Sequence, residues 1–188
     1  MDYTKTDEIL TWLKTNLCED RYEHSLGTAE CAKYLAQKYG ENSEKAYITG
    51  LIHDCAKCLP KEKTEEILTI IDLVDGELCN SKTHHAPVGA YIAKQEFGIN
   101  DEEILSAIRW HTLGKINMTT FEKIIYLADK IEERTRPCEL CQPIKNLLDE
   151  EDGLNKAILE CYKNTIKSLI DRNLSICKIT IDIYNNLL

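Results

Sequence analysis

His53 and Asp54 stand side by side in Gly50-Leu51-Ile52-His53-Asp54-Cys55-Ala56-Lys57, a stretch that is otherwise largely apolar. An ionised carboxylate facing a core is costly unless it is paired or coordinates a metal, and imidazole is a common ligand for transition ions. Four further residues of ligand type sit beside or within apolar stripes at helical spacing: His24, His85, His111 and Asp129. Asp129 closes the run from Phe121, and Ile125 lies one turn upstream on the same face. His111 shares its stripe with Ile104 and Ile108, and His24 shares one with Thr28, Cys31 and Leu35. Taken singly, each histidine reads as a hydrogen-bonded core residue. Taken in order, they are four of the five histidines of the chain and two carboxylates, and the set points to metal. His84 is next to His85, about 100° away around a helix, and is expected to point elsewhere.

Six ligands exceed what one tetrahedral structural zinc requires, and mixed nitrogen and oxygen donors suit a catalytic centre. Two metal ions are the expected count. Asp54 would bridge them, with His24, His53 and Asp129 on one ion and His85 and His111 on the other. Such a pair can deprotonate a shared water and stabilise the attacking and leaving oxygens of a phosphoryl transfer. Lys57 follows His53 by four residues and is expected to project toward a phosphate oxygen. Arg21 and Arg109 lie close in sequence to His24 and His111, and each reads either as a phosphate contact or as a solvated surface arginine. Thr112 opens the loop 112–117 directly after a ligand, where substrate contacts often lie.

The elements that must position these groups read as helices nearly throughout, with no convincing alternation of strand type, so the fold class is all-α. The spacing predicts helices over Thr6–Leu17 and Glu19–Tyr39, the latter closed by Gly40. A third, capped by Ser43, is expected to run to about Cys58 before Pro60 and to carry the His-Asp pair. Lys61–Leu73 reads as a helix broken at Asp75-Gly76, followed by His85–Phe97 with Pro87 in its first turn and by Asp101–Trp110. Thr119 or Thr120 starts a helix ending near Glu133. After Arg134-Thr135-Arg136-Pro137 come a short helix and a long one, Leu154 to about Leu187, expected to bend or break near Asn173.

At 188 residues, 43% hydrophobic and 29% charged, the chain has the size and composition of one well-packed domain. It reads as a single domain over 1–188, with a motif-bearing core at about 20–135 and C-terminal helices at about 138–187. Lys and Arg number 23 against 32 Asp and Glu, a net charge of −9 that disfavours nucleic-acid polymers as partners. A small phosphorylated ligand remains compatible, because local cations and metal ions overrule a distant field. No signal peptide and no membrane-spanning run is visible, so a cytoplasmic protein is expected, and its nine cysteines are expected to be reduced and mostly small core residues. The Cys55…Cys58 and Cys138…Cys141 spacings are too far apart for a usual zinc ribbon and lack the βαβ setting of a thioredoxin-like motif.

The strings Arg21-Tyr22-Glu23-His24-Ser25, Leu51-Ile52-His53-Asp54, His85-Ala86-Pro87-Val88-Gly89-Ala90, Ile108-Arg109-Trp110-His111-Thr112 and Ile125-Tyr126-Leu127-Ala128-Asp129 resemble the HD-domain metal-dependent phosphohydrolases, in particular the YqeK group. The resemblance implies an HD-domain helical bundle with a long C-terminal helical segment. It also implies a di-iron centre, manganese, cobalt, zinc and magnesium being the other ions such donors accept. The implied activity is symmetrical hydrolysis of diadenosine tetraphosphate to two ADP, through a metal-bridged hydroxide attacking an inner phosphorus. The family's ligands fall on His24, His53, Asp54, His85, His111 and Asp129, and its downstream lysine on Lys57. After Asp129 the family pattern runs Ile-Glu-Pro-x-Arg, whereas this chain reads Ile131-Glu132-Glu133-Arg134-Thr135-Arg136, which leaves Arg134 and Arg136 as displaced candidates for a substrate contact. Other nucleotides, namely nucleoside monophosphates, deoxynucleoside triphosphates or guanosine tetraphosphate, and a non-catalytic nucleotide-sensing module are the alternative readings. A homodimer is compatible with the sequence.

Overall fold

The computed structural model describes residues 6–188, and residues 1–5, part of the stretch read for a signal peptide, lie outside them. The described residues form helices and no strand, as the periodicity predicts. In chain order they are α1 (Thr6–Asn16), α2 (Glu19–Tyr39), α3 (Ser43–Ile52), α4 (Lys61–Leu68), α5 (Asp75–Leu78), a 3-10 turn (Ser81–Thr83), α6 (His85–Glu96), α7 (Glu102–Trp110), α8 (Thr120–Ile131), α9 (Cys138–Leu147), α10 (Gly153–Asp171) and α11 (Lys178–Asn186). None of these helices is long and apolar enough to cross a membrane.

α2, α3, α7 and α8 pack on one another around Leu35, Leu51, Ile52, Ile104, Ile108, Phe121, Ile124 and Ile125, all fully buried. Burying side chains of this size contributes about 1.5–3 kcal/mol each against exposure, so the frame that holds the ligands is also the principal core. α2 and α3 meet where Gly50 faces the backbone of Ala29, and a Cβ at Gly50 would stand 2.7 Å from the Ala29 Cα. The missing side chain therefore lets the helix that carries His24 lie directly against the one that ends just before His53.

Caps set the remaining boundaries. Thr119 begins α8 with a reciprocal capping box, accepting from Glu122 N at 3.2 Å while Glu122 Oε2 accepts from Thr119 N at 2.9 Å. Asp101 caps α7 through Glu103 N and Ile104 N. Gly40 closes α2 in the left-handed region at φ 75°. The long C-terminal segment breaks where expected, with Asn173 at φ 54° between α10 and α11.

Several sequence expectations are corrected. Asn42, not Ser43, caps α3, because the Asn42 side chain accepts from Lys45 N and Ser43 becomes the first helical residue. α3 stops at Ile52 instead of Cys58, and the chain continues in tight turns closed by Cys55 N to Ile52 O and Lys57 N to Asp54 O. α4 ends at Leu68, and Asp75-Gly76 begins a short helix where a break was expected, since the Glu77 carboxylate accepts from Val74 N and closes that turn. Cys79 and Cys177 are joined by a disulfide across 98 residues of chain, against the expectation of reduced thiols. Of the remaining cysteines only Cys55, Cys141 and Cys161 are buried, so most are not core residues.

Candidate metal centre

Three of the four ligand-type histidines sit where a helix begins or ends. His53 follows the last residue of α3, His111 the last residue of α7, and His85 is the first residue of α6. Each uses Nδ1 to donate to the carbonyl three residues back: His53 to Gly50 O at 2.7 Å, His111 to Ile108 O at 2.7 Å and His85 to Lys82 O at 2.9 Å. Gly50 and Ile108 belong to last turns, whose carbonyls lack the regular partner four residues on, so the helix ends supply the acceptors that orient the rings. A carbonyl only accepts, which places the proton on Nδ1 and leaves the Nε2 lone pair facing inward.

His24 lies in the second turn of the 21-residue α2, where the preceding carbonyls are spent on the helix itself. Its Nδ1 meets Glu132 Oε1 at 3.1 Å, and its Nε2 meets Asp129 Oδ1 at 2.9 Å. Asp129, on the last full turn of α8, also accepts from Lys130 Nζ at 2.6 Å and from Arg136 at 2.9 Å.

These groups converge. The ring centroids run His24 to His53 at 5.2 Å, His53 to His111 at 4.9 Å and His111 to His85 at 5.2 Å. His24, His53 and Asp129 offer donor atoms within 4.8 Å of one another, and so do His53, Asp54 and His111. His85 Nε2 adds a contact of 3.2 Å to Asp54 Oδ1. All six are buried, none more than 8% exposed. His84 and the cysteines join neither group among the described residues.

The donor set fits a cation. His53 Nε2 and Asp54 Oδ1 are buried with no hydrogen-bond partner. Asp54 Oδ1 lies 3.2 Å from His85 Nε2 and 3.4 Å from His111 Nε2, but with Nδ1 protonated in both rings these are lone pairs facing a carboxylate. Acceptors turned on acceptors at a buried site repel, and a cation bound between them would reverse the sign. Burial pushes the His53 imidazole down to about 3 and lowers that of His85, so both are neutral and ready to ligate. Burial would raise Asp129, but the Lys130 ammonium beside it holds that carboxyl well below the usual carboxylate range.

The expected substrate contacts divide. Lys57 Nζ stands 3.1 Å from His85 Nε2, although it reaches there from a turn and not from a helical face. Arg21 reaches Asp54 Oδ2 at 3.3 Å, and Thr112 Oγ1 lies 3.0 Å from His111 Nε2 and 3.2 Å from His85 Nε2. Arg136 is on Asp129. Arg109 is instead committed to buried Glu77, donating from Nε and its terminal nitrogen at 2.7 Å each, and to Asp72 O at 2.6 Å. Arg134 turns outward to Glu23 and Glu30. All four arginines meet carboxylates, but Arg109 and Arg134 meet ones outside the cluster, whereas Arg21 and Arg136 meet Asp54 and Asp129 within it. Lys130 and Glu132 were missed. Lys130 could have been found as the cation next to Asp129, whereas Glu132 follows the end of α8 and so carries no periodic signal.

The helical frame and the His/Asp cluster are those of an HD domain: residues 21–134 match that family, and the chain belongs to it. Among its relatives is a symmetrical bis(5'-nucleosyl)-tetraphosphatase of Bacillus subtilis (strain 168), 39% identical over 95% of both chains. Another of the same description, from Staphylococcus aureus (strain NCTC 8325 / PS 47), is 38% identical over 92% of this chain and 89% of its own. The fold is shared with a crystal structure from Clostridium acetobutylicum described as a predicted HD superfamily hydrolase involved in NAD metabolism. It has a TM-score of 0.88 and 45% identity, covering 96% of this chain and 95% of that one.

Proposed function

We propose that this protein is a metal-dependent phosphohydrolase that cleaves diadenosine tetraphosphate symmetrically into two ADP. The observation that carries the reading is the buried cluster itself, in which four imidazoles and two carboxylates converge and His53 Nε2 and Asp54 Oδ1 are buried without a hydrogen-bond partner, a donor set that a cation would reconcile. The activity named for the two bacterial relatives, matched over nearly the whole chain, selects the substrate.

His24, His53 and Asp129 would hold one ion and Asp54, His85 and His111 the other, with His53 near both; iron is the proposed metal. Metal ions held there supply a hydroxide nucleophile at neutral pH and neutralise charge on the phosphates. The chain supplies the rest. Lys57, Arg21, Lys130 and Arg136 surround the cluster with positive charge, in a protein whose net charge is −9. With the carboxylates engaged by metal, Arg21 and Arg136 are free to turn to phosphate oxygens, and Lys57 is placed to stabilise charge that gathers on the non-bridging oxygens as ADP leaves. Thr112 can donate its hydroxyl to the same oxygens.

A second reading has one observation behind it: the neighbour from Clostridium acetobutylicum is described as involved in NAD metabolism. One experiment separates the two. Protein prepared anaerobically and assayed for metal content is given diadenosine tetraphosphate, NAD, guanosine tetraphosphate and deoxynucleoside triphosphates in parallel. The proposal expects ADP alone from the first, at the highest kcat/KM, and loss of activity on chelation. ATP plus AMP as products, a preference for NAD, or undiminished turnover after the metal is removed would each reject it. A cytoplasmic location belongs to the same reading and is tested by fractionation, and light scattering decides between monomer and homodimer.

A further inference from the structure

Resting on the metal-binding reading above, we infer that Glu132 is the positioning residue for His24, holding the proton on Nδ1 so that Nε2 is presented to one metal ion and not the other. Three of the ligand histidines take their orientation from backbone carbonyls at helix ends, and His24, inside α2, has no such carbonyl to use. Glu132 fills that gap from just beyond the end of α8, 108 residues further along the chain.

The carboxylate sits in a built cradle. It is 0% exposed, and beyond His24 it accepts from Arg134 N at 2.7 Å, from Thr135 N at 3.1 Å and from the Thr135 hydroxyl. Every one of these partners donates, so both oxygens are fixed as acceptors and the ring can only donate to them. The cradle needs room on α2 as well. Gly27, one turn from His24, faces the carboxylate, and a Cβ there would lie 2.2 Å from Glu132 Oε2. Glycine inside a helix costs about 0.5–1 kcal/mol relative to alanine, and the space it leaves is filled by the Glu132 carboxylate. A carboxylate on the outer nitrogen of a metal-ligating imidazole fixes its tautomer and raises its basicity, and carbonyls do the second less strongly. The His24 ion thus differs in its outer partner from the ion held by Asp54, His85 and His111.

The test reads binding and protonation, not turnover. In the wild-type protein, ¹⁵N-histidine spectra under mildly alkaline conditions should show Nδ1 of His24 protonated, and Mn²⁺ titration should resolve two ions. Glu132→Ala should weaken one Mn²⁺ by roughly 10- to 100-fold and leave the other unchanged. Gly27→Ala, which improves helix propensity while displacing an intact carboxylate, should give the same selective loss. A purely structural role would lower the melting temperature and weaken both ions alike, and that result overturns the inference, as does an unprotonated Nδ1 in the wild type or two undisturbed ions in both variants. Should Glu132→Ala fail to fold, the wild-type spectra and Gly27→Ala still decide. Wild-type protein that takes up no Mn²⁺ would instead reject the metal-binding reading on which the inference stands.

Discussion

Asp54 is the residue on which the proposed chemistry turns, because its carboxylate faces His53, His85 and His111 together. Asparagine keeps its shape and removes the charge and one of the two oxygens. Asp54→Asn should cut turnover of diadenosine tetraphosphate by at least about 100-fold, more than loss of an outer-shell partner costs, while the melting temperature of the metal-free protein holds or rises. The rise would come from relieving the repulsion between acceptors. Lys57 makes a different prediction. It touches His85 but donates no ligand, so Lys57→Ala should lower kcat by about 100-fold, the scale of losing one charge-stabilising donor, with metal content unchanged by elemental analysis. Loss of metal together with activity would show that Lys57 supports His85 instead. Sequence periodicity identified these residues because each carries a charge or ring on an apolar face. It could not divide Arg21 and Arg136 from Arg109 and Arg134, since that division depends on which carboxylate each arginine meets in space.

Among the elements, α5 is braced from α7 by one arginine. Arg109, on α7, spans Glu77 and the Asp72 carbonyl, and Glu77 is 1% exposed. Arg109→Ala leaves a buried carboxylate short of its donors and should destabilise the protein by about 1–3 kcal/mol in urea unfolding, with KM for substrate little changed. A raised KM at unaltered stability would restore Arg109 to the substrate. α7 itself depends on Asp101, whose carboxylate caps it and also binds Lys45 Nζ from α3 at 2.7 Å. Asp101→Ala should cost about 0.5–2 kcal/mol, read by the same unfolding curve. The start of α8 was legible at Thr119 or Thr120, and Thr119 caps it, whereas Asp101, read as the first residue of α7, is its cap. The end of α3 was not legible, because nothing local in Leu51 to Cys58 marks the change from helix to successive tight turns.

For the whole molecule, the Cys79–Cys177 bond ties the region of α5 to the start of α11 across just over half the chain. With that pair closed, seven of the nine cysteines should react with a thiol reagent in denaturant without reductant, and all nine after reduction. Reduction should also lower the melting temperature, because closing a loop of about 100 residues restricts the unfolded chain, an effect worth up to about 4.7 kcal/mol in the chain-entropy description. Nine reactive thiols without reductant would dispose of the bridge. Sequence by itself determined the helical class and the break near Asn173 and singled out six candidate ligands, since helical periodicity and the cost of burying a charge are properties of local sequence. Only tertiary structure decided that Glu132 stands behind His24, that Arg109 serves α5 and that Cys79 meets Cys177. Those contacts join residues 108, 32 and 98 positions apart, and a pairing at that range is fixed by how the helices pack, which no window of neighbouring residues encodes.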